Sequence, residues 1–310
     1  MGDMKNTFWL SGFWQRVGAL LIDTLILSAF GWLLGIFFET LFVRMGAWGL
    51  LIGYASGLSY FGVLNSRVGG GMTLGKRVFN LKVVNSRGEP IGVGRSMLRT
   101  TIVTVPFLLN GAQLSAALIL SSAGFLISMV VIGGSLATLY LYIFNGRTRQ
   151  SLHDLICGTF VVNAGAEQTA LAPLWRPHLA VIATLFALAA LLPTFSVPLD
   201  GLAPFHTMER TRSALMTAPE VRFATLSSVS SVVRSGGEAK RSTAVNAHVF
   251  LLENGVNDAD FARYLADVVV QNYPEVHTRD TLGVALIYGY DIGIFSKWKS
   301  RSHRFETALF

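Results

Sequence analysis

From Thr100 to Asn145 the chain runs for 46 residues without a charged side chain. A helix crosses the ~30 Å hydrocarbon core of a bilayer with about 20 apolar residues, and a soluble domain has no use for an uncharged run twice that long. The stretch fits two crossings joined by a tight turn near Ser121 and Ser122. Pro106 and the patch from Asn110 to Gln113 leave open a second arrangement, a re-entrant or interfacial helix before a single long span.

With this segment in lipid, the rest of the N-terminal two thirds reads the same way. A first span covers about Val17 to Phe38, led in by Lys5, Trp9 and Trp14, whose aromatic rings suit the headgroup layer. A brief loop with Glu39 and Arg44 leads to a second span, about Ala47 to Leu64. A last span runs from about Leu179 to Leu199, with Trp175 as its inner anchor and Pro193 and Pro198 near its far end. Several crossings agree with a chain that is 52% hydrophobic and 14% charged, at a mean hydropathy of +0.50. In the second span Gly49, Gly53 and Gly57 recur every four residues and line one face. Such a ridge admits close approach of a neighbouring helix or of a second copy of the chain.

Charge gives the sidedness. Residues 1–199 hold 13 Lys and Arg against 6 Asp and Glu, and residues 200–310 hold 12 of each, so the net +7 belongs to the first part. Basic residues concentrate in cytoplasmic loops. The loop over 65–99, with Arg67, Lys76, Arg77, Lys82, Arg87, Arg95 and Arg99, is therefore inside. So is the loop after Asn145, with Arg147, Arg149 and Arg176 against Asp154 and Glu167. The N-terminus is then cytoplasmic, and five crossings put the residues beyond Asp200 outside. The lipid bilayer accounts for the basic excess, and nucleic acid is excluded as a partner. The first apolar run is too long for a cleaved signal peptide, and Cys157, the single cysteine, cannot form an internal disulfide. In LKVVNSRGEPIG, β-branched residues flank the turn Asn85-Ser86-Arg87-Gly88, which predicts a short cytoplasmic hairpin, with a helix restarting near Ser96.

Beyond Asp200 the pattern is that of a soluble α+β unit. A polar helix covers about Thr207 to Thr217. Two alternating runs, Val221 to Val233 and Thr243 to Leu252, form a hairpin through Ser235-Gly236-Gly237. Asn257 caps a helix that ends before Pro274, and a strand follows from Leu282 to Tyr290. The fold expected is an all-α polytopic membrane bundle of about five transmembrane helices with a small cytoplasmic β-hairpin, followed by a soluble α+β domain. Its parts are a four-span membrane domain over 1–165, a linker and fifth helix over 166–200, and an extracytoplasmic domain over 201–310.

The chemistry-bearing residues are few. FWQRVGALLIDTLIL places Arg16 at the mouth of the first span and Asp23 inside it, on nearly the same helix face but roughly 10 Å apart along the axis. Arg16 can reach the headgroups. Asp23 needs a partner on another segment, a wet cavity or a proton, because an unpaired charge in the bilayer costs on the order of 2.5–3.5 kcal/mol or more. Lys76, Arg77 and Arg99 are the expected counter-charges. GGMTLGKR, Gly70 to Arg77, has the spacing of a phosphate-binding loop except that Arg77 replaces the final Ser or Thr, and no buried parallel strand precedes it. His153 and Asp154 are adjacent and point in different directions on a helix. No nucleophile, base and orienting group stand together, and no histidines share zinc-ligand spacing, so no catalytic residue, metal or cofactor is expected and the chain is not read as an enzyme.

FWQRVGALLIDTLIL, TLGKRVFNLKVVNSRGEPI and RQSLHDLICGTFVV, in this order, resemble the three motifs of the RDD family of bacterial integral membrane proteins, over roughly residues 10–165. The resemblance makes Arg16 the family's arginine and Asp23 and Asp154 its two aspartates. Thr73, Gly75 and Lys76 match its cytoplasmic loop, and Gly158 and Thr159 the end of its last motif. Asn80 stands where the family often has glycine, and Cys157 where it often has alanine. The resemblance implies an inner-membrane helical domain, with transport, including cation/proton exchange, proposed for some members.

Two functions follow. In one, the charged residues fasten the bundle, and the membrane domain anchors the external α+β domain, which docks a protein partner as a scaffold or accessory subunit; Asp291 to Phe305 is then the candidate contact surface, or simply a sheet edge. In the other, Asp23 binds and releases a proton or cation during transport. A single deep carboxylate is thin equipment for exchange.

Overall fold

The computed structural model describes residues 9–112, 118–119, 121–195, 203–235 and 238–310. The expected lead-in at Lys5, the Gln113 end of the polar patch, Pro198 at the far end of the last span and the Gly236-Gly237 turn lie outside these residues. The contacts divide the chain into two units: Met1–Leu33 with Ala47–Ser196 and Ile292–Phe295, and Leu34–Gly46 with Val197–Asp291 and Ser296–Phe310.

Helix α1 spans Phe13–Met45, with a local departure from helical dihedrals at Phe38. Glu39 and Arg44, expected in a loop, lie within it. The helix ends where Gly46 takes a left-handed φ of 57°, a conformation open to glycine at no steric cost. After a 3₁₀ turn, α2 runs Leu50–Leu64. Helix α3 is the short Leu74–Val78, and strand β1 is Leu81–Val84. Helix α4, Val93–Gly111, carries Pro106 inside it. Next come α5 (Ser122–Ser128), a π-helical turn over Met129–Gly133, and α6 (Gly134–Phe144). Helix α7 (Leu152–Cys157), strand β2 (Phe160–Asn163) and helix α8 (Pro177–Leu191) complete the sequence of elements before the α+β region.

Three helical stretches among the described residues are long and apolar enough to cross a membrane: Phe13–Leu64, Ser122–Phe144 and Pro177–Thr194. The first contains both of the spans expected before residue 65. Helix α4 is not among the three, since its first turns carry Arg95 and Arg99.

The expected local hairpin is corrected. LKVV pairs antiparallel with FVVN, Leu81 opposite Asn163 and Val84 opposite Phe160, and the turn after Val84 returns only as a single bridge to Pro90. The reason is burial. Every β2 residue is buried and β1 nearly so, and Leu81, Val83 and Val161 pack with Ala19 of α1 and Ile91 on one side while Val84, Phe160 and Val162 pack with Trp9 on the other. A strand buried on both faces needs an apolar partner strand, which the polar SRGEP segment cannot provide.

In the second unit, α9 (Ala203–Leu215) precedes the hairpin of β3 (Val221–Ser235) and β4 (Glu238–Leu251). Helix α10 (Ala259–Asn272) then crosses to β5 (Thr281–Asp291), which pairs with β6 (Ser296–Glu306). The sheet order is β3-β4-β5-β6, with β4 and β5 parallel and the outer pairs antiparallel. Alternation decides the faces. Val245, Ala247 and Val249 of β4 and Leu282, Val284 and Leu286 of β5 are buried with Leu265, Ala266 and Val269 of α10 and Leu215 of α9. Asp258 caps α10, accepting from the Phe261 N–H, one residue after the expected Asn257. The Asp291 to Phe305 stretch becomes the tip of the β5–β6 hairpin and the edge strand β6.

Candidate functional site

Arg16, Asp23 and Asp154 are buried, 8%, 1% and 2% exposed, and all three line one cavity of about 170 Å³ within the first unit. They do not pair with one another. Each fastens a different set of segments.

Arg16 holds β2 and the loop before α7. Its Nε donates to Ser11 Oγ at 2.7 Å, Nη2 to the Val161 carbonyl at 3.1 Å and Nη1 to the Arg149 carbonyl. Ser11 Oγ in turn donates to the Val161 carbonyl at 2.9 Å. Arg149, which adopts a positive φ of 51°, donates from Nη1 to the carbonyls of Leu10 and Ser11.

Asp23 holds the TLGKR loop. Its Oδ1 accepts from Tyr60 OH and from the Gly75 N–H, both at 2.7 Å, and its Oδ2 accepts from Thr73 Oγ1 at 2.6 Å. The expected basic counter-charges are therefore replaced by three neutral donors. A buried carboxylate needs its lone pairs filled by directed donors, and these fill them without taking a second charge out of water. The loop that resembles a phosphate cradle thus cradles the chain's own carboxylate. Gly75 is required here, because a Cβ on it would lie 2.1 Å from the Ala19 carbonyl oxygen. Thr73 also caps α3, accepting from the Lys76 N–H.

Asp154 is where the expected basic partner goes. Its Oδ1 accepts from Arg99 Nε at 2.8 Å and from Thr159 Oγ1 at 2.7 Å, and its Oδ2 lies 3.5 Å from His153 Nε2. Burial by itself would raise the carboxyl's pKa, but the charges of Arg99, His153 and Arg16 outweigh it and hold the group below its ordinary value. Burial pushes His153 down to about 3, so at neutral pH it is an uncharged ring hydrogen-bonded to Ser151 Oγ at 2.8 Å.

Lys76 reaches the same cavity and donates to Asn65 Oδ1, the side chain that follows the last residue of α2. Burial first, and Arg99 second, lower its pKa to about 7. Arg95 closes the end of α7, donating from Nε to the Cys157 carbonyl at 2.5 Å and from Nη2 to that of Gly158 at 3.3 Å. Gly158 ends this helix at φ 57°, and Asn80 takes φ 53°; asparagine tolerates the left-handed region better than other non-glycine residues.

The glycine ridge is divided. Gly49 is buried in the 3₁₀ turn. Gly53 faces the Ile292 carbonyl oxygen, which would lie 2.1 Å from a Cβ, while Gly57 has nothing within 4 Å. Gly62, which the four-residue spacing misses, faces Met97 of α4, whose Cγ would lie 2.9 Å from a Cβ there. Tyr60 is the other contributor with no sequence signal; it lies in an apolar helix and is marked only by the carboxylate it meets. Among the described residues no group of three or more His, Cys, Asp or Glu side chains could hold a metal ion.

The family model described as RDD family matches residues 10–158, which include Arg16, Asp23, Thr73, Gly75, Lys76 and Asp154. No curated protein and no solved structure matches the chain.

Proposed function

We propose, for a chain whose residues 10–158 are an RDD-family membrane domain, that it serves as an anchor and scaffold in the bacterial inner membrane. Its N-terminus is cytoplasmic, and its C-terminal α+β unit, on the outer side, docks a protein partner. The observation that carries this reading is the sheet face opposite α9 and α10. Phe223 of β3, Phe250 of β4 and Trp298 of β6 form an aromatic row there, with ring centroids 6.0 and 5.8 Å apart. Helices α9 and α10 pack on the other face, and Trp298 is 45% exposed, while Phe223 and Phe250 are half-buried, with the guanidinium of Arg212 over the first ring and that of Arg222 over the second. Large aromatic side chains are enriched among the residues that anchor protein interfaces.

The membrane unit supports the same reading. Arg16 and Asp23 are committed to fixed backbone and side-chain partners and Asp154 to an ion pair, which suits a rigid base for a docking module. The carrier alternative needs Asp23 to exchange ligands, and its oxygens already accept from three protein donors.

Site-specific photocrosslinking in cells tests the proposal. A probe at Ser300, on the aromatic face, is expected to give a discrete protein adduct, and a probe at the α10 surface position Asp267 none. No adduct from Ser300, together with ion flux in proteoliposomes above protein-free controls, would replace the scaffold by the carrier.

A further inference from the structure

The cavity in the membrane unit has more hydrogen-bond donors than acceptors. Arg99 is 9% exposed and uses only Nε, on Asp154; its two terminal nitrogens have no acceptor among the described residues. Lys76 donates to Asn65 and makes no ion pair among the described residues. Three of the four carboxylate oxygens on the same walls already accept hydrogen bonds. Asp23 receives three hydrogen bonds, and Asp154 Oδ1 receives two, with His153 beside Oδ2. Charge points the same way: Arg16, Lys76 and Arg99 face two carboxylates, while His153 is neutral.

We propose that this cavity binds one monovalent anion, between the terminal nitrogens of Arg99 and the ammonium of Lys76. One surplus positive charge matches a single negative one, which disfavours sulfate and phosphate dianions. Leu20, Phe61 and Val103 supply apolar wall beside the charged end, so the occupant is a weakly hydrated ion of the size of chloride or a short monocarboxylate, and about 170 Å³ admits either. This inference does not depend on the docking role.

Lys76 makes the site sensitive to pH. The groups that face it are Arg16 and Asp23 of α1, Asn65 after α2, Arg99 of α4, and His153 and Asp154 of α7, with Tyr142 of α6 also lining the cavity. His153 stays uncharged, whereas Lys76 loses its proton near pH 7. Affinity therefore falls as pH rises through neutrality.

The test uses the full-length protein in detergent, with thermal unfolding followed as gluconate is replaced by chloride, benzoate or sulfate at constant ionic strength. Chloride or benzoate is expected to raise the Tm saturably, which also tells the inorganic from the organic occupant, and sulfate is expected to have no such effect. Half-saturation should need about tenfold more anion at roughly pH 8 than at roughly pH 6, as Lys76 deprotonates. Lys76→Gln should abolish the response, and Lys76→Arg should keep it while removing its pH dependence. No response to chloride or benzoate in the wild type, or an undiminished response in Lys76→Gln, overturns the proposal. If Lys76→Gln does not fold, the Lys76→Arg protein decides, because a response that still weakens with pH would place the titrating group elsewhere and overturn it.

Discussion

The backbone N–H of Gly75 lies 2.7 Å from Asp23 Oδ1, and a Cβ on the same glycine would lie 2.1 Å from the Ala19 carbonyl oxygen. The loop therefore reaches the carboxylate only by pressing its backbone against α1. Gly75→Ala is expected to push it away and cost about 1–3 kcal/mol, the usual range for overpacking. Gly57→Ala, with nothing within 4 Å of the new methyl, should be neutral or slightly stabilising through helix propensity. Thermal unfolding in detergent compares the two.

Substitutions at Asp23 should rank by the donors they leave unpaired. Asn keeps one acceptor oxygen for Tyr60 and Gly75 and can donate to a reoriented Thr73 hydroxyl, so Asp23→Asn is expected to fold with a loss of about 1–2 kcal/mol. Tyr60→Phe removes one of three hydrogen bonds and should cost about 1 kcal/mol. Asp23→Leu strands three donors and should fail to accumulate in the membrane. Immunoblots of membrane fractions and unfolding curves check the order, and Asp23→Leu accumulating at the wild-type level would contradict it.

The Arg99–Asp154 pair is buried, with side chains 10% and 2% exposed. Removing either partner leaves a buried charge and is expected to cost about 3–5 kcal/mol. Arg99→Gln combined with Asp154→Asn should cost less than the sum of the single changes. A double-mutant cycle in thermal unfolding measures the difference, and strict additivity would show that the pair is not coupled.

The ionisable groups predict how stability depends on pH. His153 is held near 3 in the fold against 6.5 ordinarily, so the unfolded chain takes up its proton first, and stability falls as pH drops from about 6.5 toward 3. Asp154, held below its ordinary value, adds a further loss below about 3.8. Lys76, near 7 rather than 10.5, works on the alkaline side, where stability rises with pH between these values. His153→Gln should flatten the limb between pH 6.5 and 4 and leave the steeper loss below it. An unchanged acid limb would show that His153 is protonated in the fold.

The membrane character and the order of the motifs are properties of composition and short-range pattern, and they are legible in the sequence. The uncharged run from Thr100 to Asn145 and the spacing of Arg16, Asp23 and Asp154 need no partner to be recognised. The alternation in VRFATL, AVNAHVFL and LGVALI likewise identifies strands, because a period of two survives whatever the strand packs against. What lay beyond the sequence were the pairings. LKVV takes FVVN across an interval of almost eighty residues, Asp23 takes Tyr60, Thr73 and Gly75 in place of lysine or arginine, and Arg99 takes Asp154. Each choice is made by burial: a strand covered on both faces needs another apolar strand, and a desolvated carboxylate needs donors in fixed directions. Such preferences are set only when segments remote in sequence enclose the same volume, and so the tertiary structure alone decided them.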